Sequence, residues 1–142
     1  MNETVNAERL LEHAVAELLE ERKQLLALFC ELAGVEPAAA SGMQQHRLQR
    51  FCQLLIDYAS LWQFEIHDLL LRTQENHAAA RAMLEKYQPL ILQASDAALE
   101  FNDRYDPSSH LLDLSEVEAH LSRLGEILAT RFDAEDRIIS AL

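Results

Sequence analysis

A chain of 142 residues with 49% hydrophobic residues can bury a core without disulfide or metal staples, and it is too apolar to stay disordered. Its net charge of −12, from 24 acidic and 12 basic residues, repels phosphate backbones and excludes direct nucleic-acid binding as the expected role. The same charge draws in a basic partner, or simply serves solubility.

With only 3 Gly and 3 Pro, the chain has few turn signals, and good helix formers dominate the rest. One all-helical domain spanning residues 1–142 is expected. The first helix is predicted from about Thr4 to Ala33, with Leu11, Val15, Leu18, Leu25, Phe29 and Leu32 along one stripe. Arg22 interrupts that stripe. Gly34 is placed just past the helix end, and Pro37 prevents continuation. A short linker, 36–42, follows.

The second helix is predicted from Gln44 to Ser60, with Leu48, Phe51, Leu55 and Tyr58 inward, and a third from Leu61 to Thr73. No proline or glycine separates the two, so they are either continuous or bent near Ser60. A long helix from Glu75 to Phe101 is expected to turn Ala79, Met83, Tyr87, Leu90, Ala94 and Phe101 inward and to kink at Pro89. Asn102 to Ser109 reads as a loop. The last helix is expected from about Leu114, capped by Asp113 or Ser115, with Val117, Leu121, Leu124, Leu128, Phe132 and Ile139 inward. Four or five such helices with short connections predict an antiparallel bundle.

Signals for catalysis are weak. No Glu-x-x-His pair of the di-iron bundles occurs. His13 with Glu17, and Glu116 with His120, share a helix face at i, i+4, which suits surface pairs or a metal site. His120 followed by Arg123 and Gly125 loosely approximates a histidine phosphotransfer helix; alternatively, Gly125 permits close helix packing and His120 is merely exposed. There is no G-x-S-x-G turn and no Gly-rich phosphate loop. Cys30 and Cys52 stand alone in apolar stretches and are expected to be small buried hydrophobes in a reducing compartment. The first nine residues are polar and no long apolar run follows, which predicts a cytoplasmic protein that neither enters nor spans a membrane.

Two stretches are more specific: Phe51-Cys-Gln-Leu-Leu-Ile-Asp-Tyr-Ala-Ser60 continuing to Phe64-Glu65, and Leu124-Gly-Glu-Ile-Leu-Ala-Thr-Arg-Phe-Asp-Ala-Glu-Asp-Arg-Ile-Ile139. Both resemble the regulator of sigma D family, Rsd and AlgQ, which runs FCQxLxDYxSxxxFE in its middle and LGxxLxxRFxxEDxLI near its end. Phe101-Asn-Asp-Arg104 is similar to the AlgQ branch. The resemblance covers nearly the whole chain in order.

It implies a non-catalytic helical bundle without cofactor or metal. Such a bundle would bind the C-terminal, −35-reading domain of the primary sigma factor as an anti-sigma factor, and the chain is expected to be a monomer. It also implies partner contacts at Asp57, Tyr58, Leu61, Trp62, Phe64, Glu65 and Asp68, and at Arg131, Glu135 and Asp136. Asp57 falls off the Leu48–Tyr58 stripe and points outward, either toward a sigma-factor arginine or idly into solvent. Tyr58 and Phe64 suit the core better than an interface by their spacing. Trp62, with Gln63, replaces the family's usual small residue and His, and is either an exposed anchor or a half-buried plug at the helix junction. Arg131 and Glu135, at i, i+4, suit a buried polar link.

Overall fold

The computed structural model describes residues 2–34, 41–73, 76–106 and 113–142. They form α1 (Asn2–Gly34), α2 (Ser41–Leu61), a π-helical turn (Trp62–Ile66), α3 (His67–Arg72), α4 (Ala78–Tyr105) and α5 (Val117–Ser140). α2, the π turn and α3 run as one continuous rod, so four long rods pack as a bundle. The pairs Tyr105–His120, Ser95–Arg131 and Tyr87–Arg137 fix α4 and α5 antiparallel. Most of the linker around Pro37 and residues 107–109 of the expected loop lie outside the described residues.

The bundle is encoded by buried positions that alternate steps of three and four residues. On α4 they are Ala80, Leu84, Ile91, Ala94, Ala98, Phe101 and Tyr105, with Tyr87 half-buried in the same line. On α5 they are Leu121, Leu124, Leu128, Arg131, Glu135 and Ile138. A 3.5-residue repeat keeps a seam facing its neighbours as helices coil about one another. Each buried leucine, such as Leu18, Leu25 and Leu55, contributes about 1.5–3 kcal/mol through removal from water.

The repeat also corrects several expectations. Ala79 and Met83 are exposed and Leu90 is half-buried, because the seam set by Ile91 to Tyr105 extends back through Leu84 and Ala80, one residue over. Ile138, rather than Ile139, is the fully buried one of that pair. Gly34 stays helical, and no described residue has a positive φ, so it does not form a left-handed C-cap. α4 continues through Pro89, which faces solvent, so the carbonyl that proline leaves without a donor is not forced into the core. It also continues past Asn102 to Tyr105. Neither Ser115 nor Asp113 caps α5; Asp113 instead accepts a hydrogen bond from the Ser115 backbone N–H (3.0 Å), closing a turn just before the helix. Cys52 is buried, which pushes its thiol up to about 12, but Cys30 is exposed because it falls off the Leu25–Leu32 line.

The π turn has a cause in the sequence. Tyr58, Trp62, Ile66 and Leu70 are all buried at successive steps of four. An α-helix of 3.6 residues per turn would rotate such a series off the core, and a wider turn holds it in place. Here the His67 N–H reaches back to the Trp62 carbonyl, five residues away. With Trp62 and Ile66 inward, Gln63, Phe64 and Glu65 are all turned outward.

Gly125 is where α1 and α5 meet closely. A Cβ there would lie 2.6 Å from Phe29 Cζ, and the Phe29 ring is held at 6.2 Å from that of Phe51. Gly125→Ala gains about 1 kcal/mol of helix propensity but forces the ring aside at about 1–3 kcal/mol. A net loss of about 1 kcal/mol is therefore expected from the urea midpoint. Adding Phe29→Leu removes the obstruction, and the alanine is then expected to stabilise.

Candidate functional site

The residues expected at a partner surface separate into two groups. Tyr58, Leu61, Trp62, Arg131 and Glu135 are buried. Trp62 is 0% exposed, so it is neither an exposed anchor nor a half-buried plug. Asp57, Phe64, Glu65, Asp68 and Asp136 are exposed.

The buried group is a polar network. Glu135 is its centre, accepting hydrogen bonds from Arg131 Nε (3.0 Å), Arg22 Nη2 (3.1 Å) and the Tyr58 hydroxyl. Arg22 also donates from Nε to Tyr58 (3.1 Å) and from Nη1 to Asp136 (2.5 Å). Arg131 Nη1 donates to Ser95 Oγ (3.0 Å), which itself donates to the Ile91 carbonyl. Tyr58 packs edge-on against Phe132 at 5.5 Å, and Arg22 lies 4.9 Å over that same ring. Burial raises the Tyr58 hydroxyl pKa, and the Glu135 charge raises it further. The spacing of Arg131 and Glu135 foretold their link. The part of Arg22 was not foreseen, although its place inside an apolar stripe was the signal.

Of the exposed group, Asp136 lies on α5 at the edge of this network, held by Arg22, whereas Asp57, Phe64, Glu65 and Asp68 lie along the outward side of the α2, π-turn and α3 rod. Phe64 stands 74% exposed at the middle of the π turn. It borders a cleft of about 350 Å³ between α1 and the π turn with the start of α3, floored by Ala14 and Leu69, walled by Leu10 and His13, and edged by Glu17, Glu65 and Asp68. Glu21, one turn beyond Glu17, has its carboxyl pKa raised, first by burial and then by the charges of Glu17, Asp57 and Glu65. These carboxylates therefore share one strongly negative surface. Asp68 is partly offset by Arg72 at 3.2 Å.

No catalytic constellation accompanies this surface. Among the described residues, no group of three or more His, Cys, Asp or Glu is arranged to hold a metal ion. The Tyr105 hydroxyl lies 2.5 Å from His120 Nδ1, and the Glu116 carboxylate lies 3.8 Å from Nε2. Both imidazole nitrogens face protein groups, one of them an anion that repels phosphate. No described helix is long and apolar enough to cross a membrane.

Residues 2–142 match the family described as Regulator of RNA polymerase sigma(70) subunit, Rsd/AlgQ. The chain belongs to the Rsd/AlgQ family. It is 30% identical over 129 residues to the Regulator of sigma D of Yersinia enterocolitica serotype O:8 / biotype 1B (strain NCTC 13174 / 8081), covering 85% of this chain and 75% of the relative. It is 34% identical over 127 residues to the Regulator of sigma D of Enterobacter sp. (strain 638), covering 84% and 73%. No solved structure matches. Within this Rsd/AlgQ chain the two motifs have different places: the Asp57–Glu65 stretch supplies an exposed aromatic and acidic surface, whereas Arg131 and Glu135 are buried in the core.

Proposed function

We propose that this protein is an anti-sigma factor that binds the C-terminal domain of the primary sigma factor with the face bearing Asp57, Phe64, Glu65 and Asp68. Membership in a family of sigma(70) regulators supports the partner. The observation that carries the choice of face is Phe64, a large apolar side chain 74% exposed among carboxylates. Aromatic side chains are enriched at protein–protein interfaces relative to the rest of the surface. A helix-turn-helix presents Lys and Arg to DNA phosphates. The acidic face covers those cations, so the same surface cannot read promoter DNA. Charge steers the encounter, and the aromatic anchor lengthens the lifetime of the complex. No bond-making step is involved.

Calorimetry with the purified C-terminal domain of the primary sigma factor tests this. Binding that weakens steadily as salt rises is the expected result; no binding even at low salt overturns the reading. Phe64→Ala is expected to raise Kd about 30-fold, equivalent to about 2 kcal/mol, without loss of folding stability. Asp57→Ala is expected to weaken binding less, chiefly through slower association.

A further inference from the structure

The cleft beside Phe64 belongs half to α1. Leu10 is 54% exposed on its near wall, and Ala14 and Leu69 close its floor. Glu17 stands on the α1 side and Glu65 on the π-turn side, so an apolar hollow is flanked by carboxylates from two separate helices. His13 completes the α1 wall. None of these α1 residues falls in the motifs that carry the family likeness.

Resting on the sigma-binding reading, we infer that the Leu10–Phe64 cleft is a specificity pocket. It takes one aliphatic side chain from a basic helix of the partner, with Lys or Arg one turn away meeting Glu17 and Glu65. Three features select this occupant. The floor is wholly apolar, so a polar side chain inserted there loses its hydration without compensation. Glu17 and Glu65 flank the hollow with negative charge from both sides, and Asp68 is only partly offset by Arg72, so cations bordering the inserted group are favoured. The two walls stand on separate rods, which matches a helix laid across both and presenting one apolar residue between two charged turns. Glu21, whose carboxyl pKa is raised first by burial and then by the charges of Glu17, Asp57 and Glu65, extends this acidic border along the seam toward Asp57. A cation bound there relieves that repulsion.

The pocket makes α1 a recognition element rather than only a wall of the bundle. Its residues lie opposite Leu19, which is 42% exposed on the far side of the same helix. That geometry supplies an internal control.

The test measures binding of the isolated C-terminal sigma domain to the full chain by fluorescence anisotropy. Variants are Leu10→Arg, Glu17→Lys, Leu19→Arg and Phe64→Ala, each first checked for an unchanged urea midpoint. Leu10→Arg and Glu17→Lys are each expected to weaken binding about tenfold or more, by filling the hollow with a cation or reversing a flanking charge. Leu19→Arg is expected to bind as the unmodified chain does. A photo-crosslinking residue at position 10 is expected to capture an aliphatic residue bordered by Lys or Arg. If Phe64→Ala loses affinity while Leu10→Arg and Glu17→Lys bind normally, the pocket is overturned and the sigma reading stands. If the unmodified chain fails to bind, the sigma reading falls, and the pocket assignment with it.

Discussion

Glu135→Ala is expected to lower folding stability by about 3–5 kcal/mol, the largest single effect in this chain outside the apolar core. Glu135 is 0% exposed and receives Arg131, Arg22 and Tyr58. Its removal does not affect these three equally. Arg22 keeps Asp136 at 2.5 Å, at the edge of the bundle. Arg131 keeps the Ser95 hydroxyl and the face of the Tyr58 ring at 5.5 Å but no carboxylate, and among the described residues its Nη2 has no hydrogen-bond partner. The cost is therefore that of a guanidinium buried without its counter-charge. Urea unfolding followed by circular dichroism measures it, and a loss below about 1 kcal/mol would refute this account.

A second variant isolates the cause. Arg131→Met with Glu135→Leu places apolar groups at the same two core positions and is expected to recover most of the stability, since well-packed apolar replacements of buried ion pairs are often neutral. The pH dependence gives an independent check. Burial, followed by the Glu135 charge, lifts the Tyr58 pKa above its ordinary 10.0 in the folded state. The unfolded chain therefore loses that proton first. The contribution from Tyr58 is complete below about pH 10 and fades as pH rises further. In Glu135→Ala that alkaline loss is expected to be smaller.

The sequence disclosed most of the bundle because apolar residues at steps of three and four leave few alternatives for long helices. It was ambiguous where small or mixed residues carry no directional preference. The run from Ala78 to Met83 reads equally well on two faces, and packing of Ala80 and Leu84 decided it. The π turn was hidden for a different reason. The steps of four from Tyr58 to Leu70 look like ordinary helical spacing until their cumulative rotation is counted. At the candidate site, exposure could not be read from residue type: Phe64 looked like core and Trp62 like either an exposed anchor or a half-buried plug, whereas Phe64 is exposed and Trp62 fully buried. Arg22 was legible in principle. A cation in the apolar stripe of α1 and an anion in that of α5 each require a buried partner, and together they supply one another.

The network and the acidic face are also joined through the backbone. Asp57 and Tyr58 are consecutive, one outward and one inward. Whatever fixes Tyr58 against Glu135 and Arg22 also fixes the start of the exposed face. Trp62 and Ile66 fix its other end. The exposed acidic face is thus held by side chains that never reach it, which explains how one motif contains both buried and exposed residues.

Trp62→Ala is accordingly expected to do two things. Loss of a fully buried indole costs about 3–5 kcal/mol. It also removes the inward anchor that requires the wide turn, so the Trp62–Ile66 segment is free to return to α-helical winding. Phe64 then rotates away from the Leu10 side of the cleft, and affinity for the sigma domain falls in molecules that remain folded. Trp62→Phe separates the two effects. Among the described residues Trp62 Nε1 has no hydrogen-bond acceptor, so phenylalanine discards an unsatisfied donor while keeping a ring in the core. That variant is expected to lose about 1 kcal/mol or less and to keep its affinity. Urea midpoints and anisotropy titrations of both variants check this directly. If Trp62→Ala bound the sigma domain as tightly as the unmodified chain in its folded fraction, the indole would fill space without aiming Phe64.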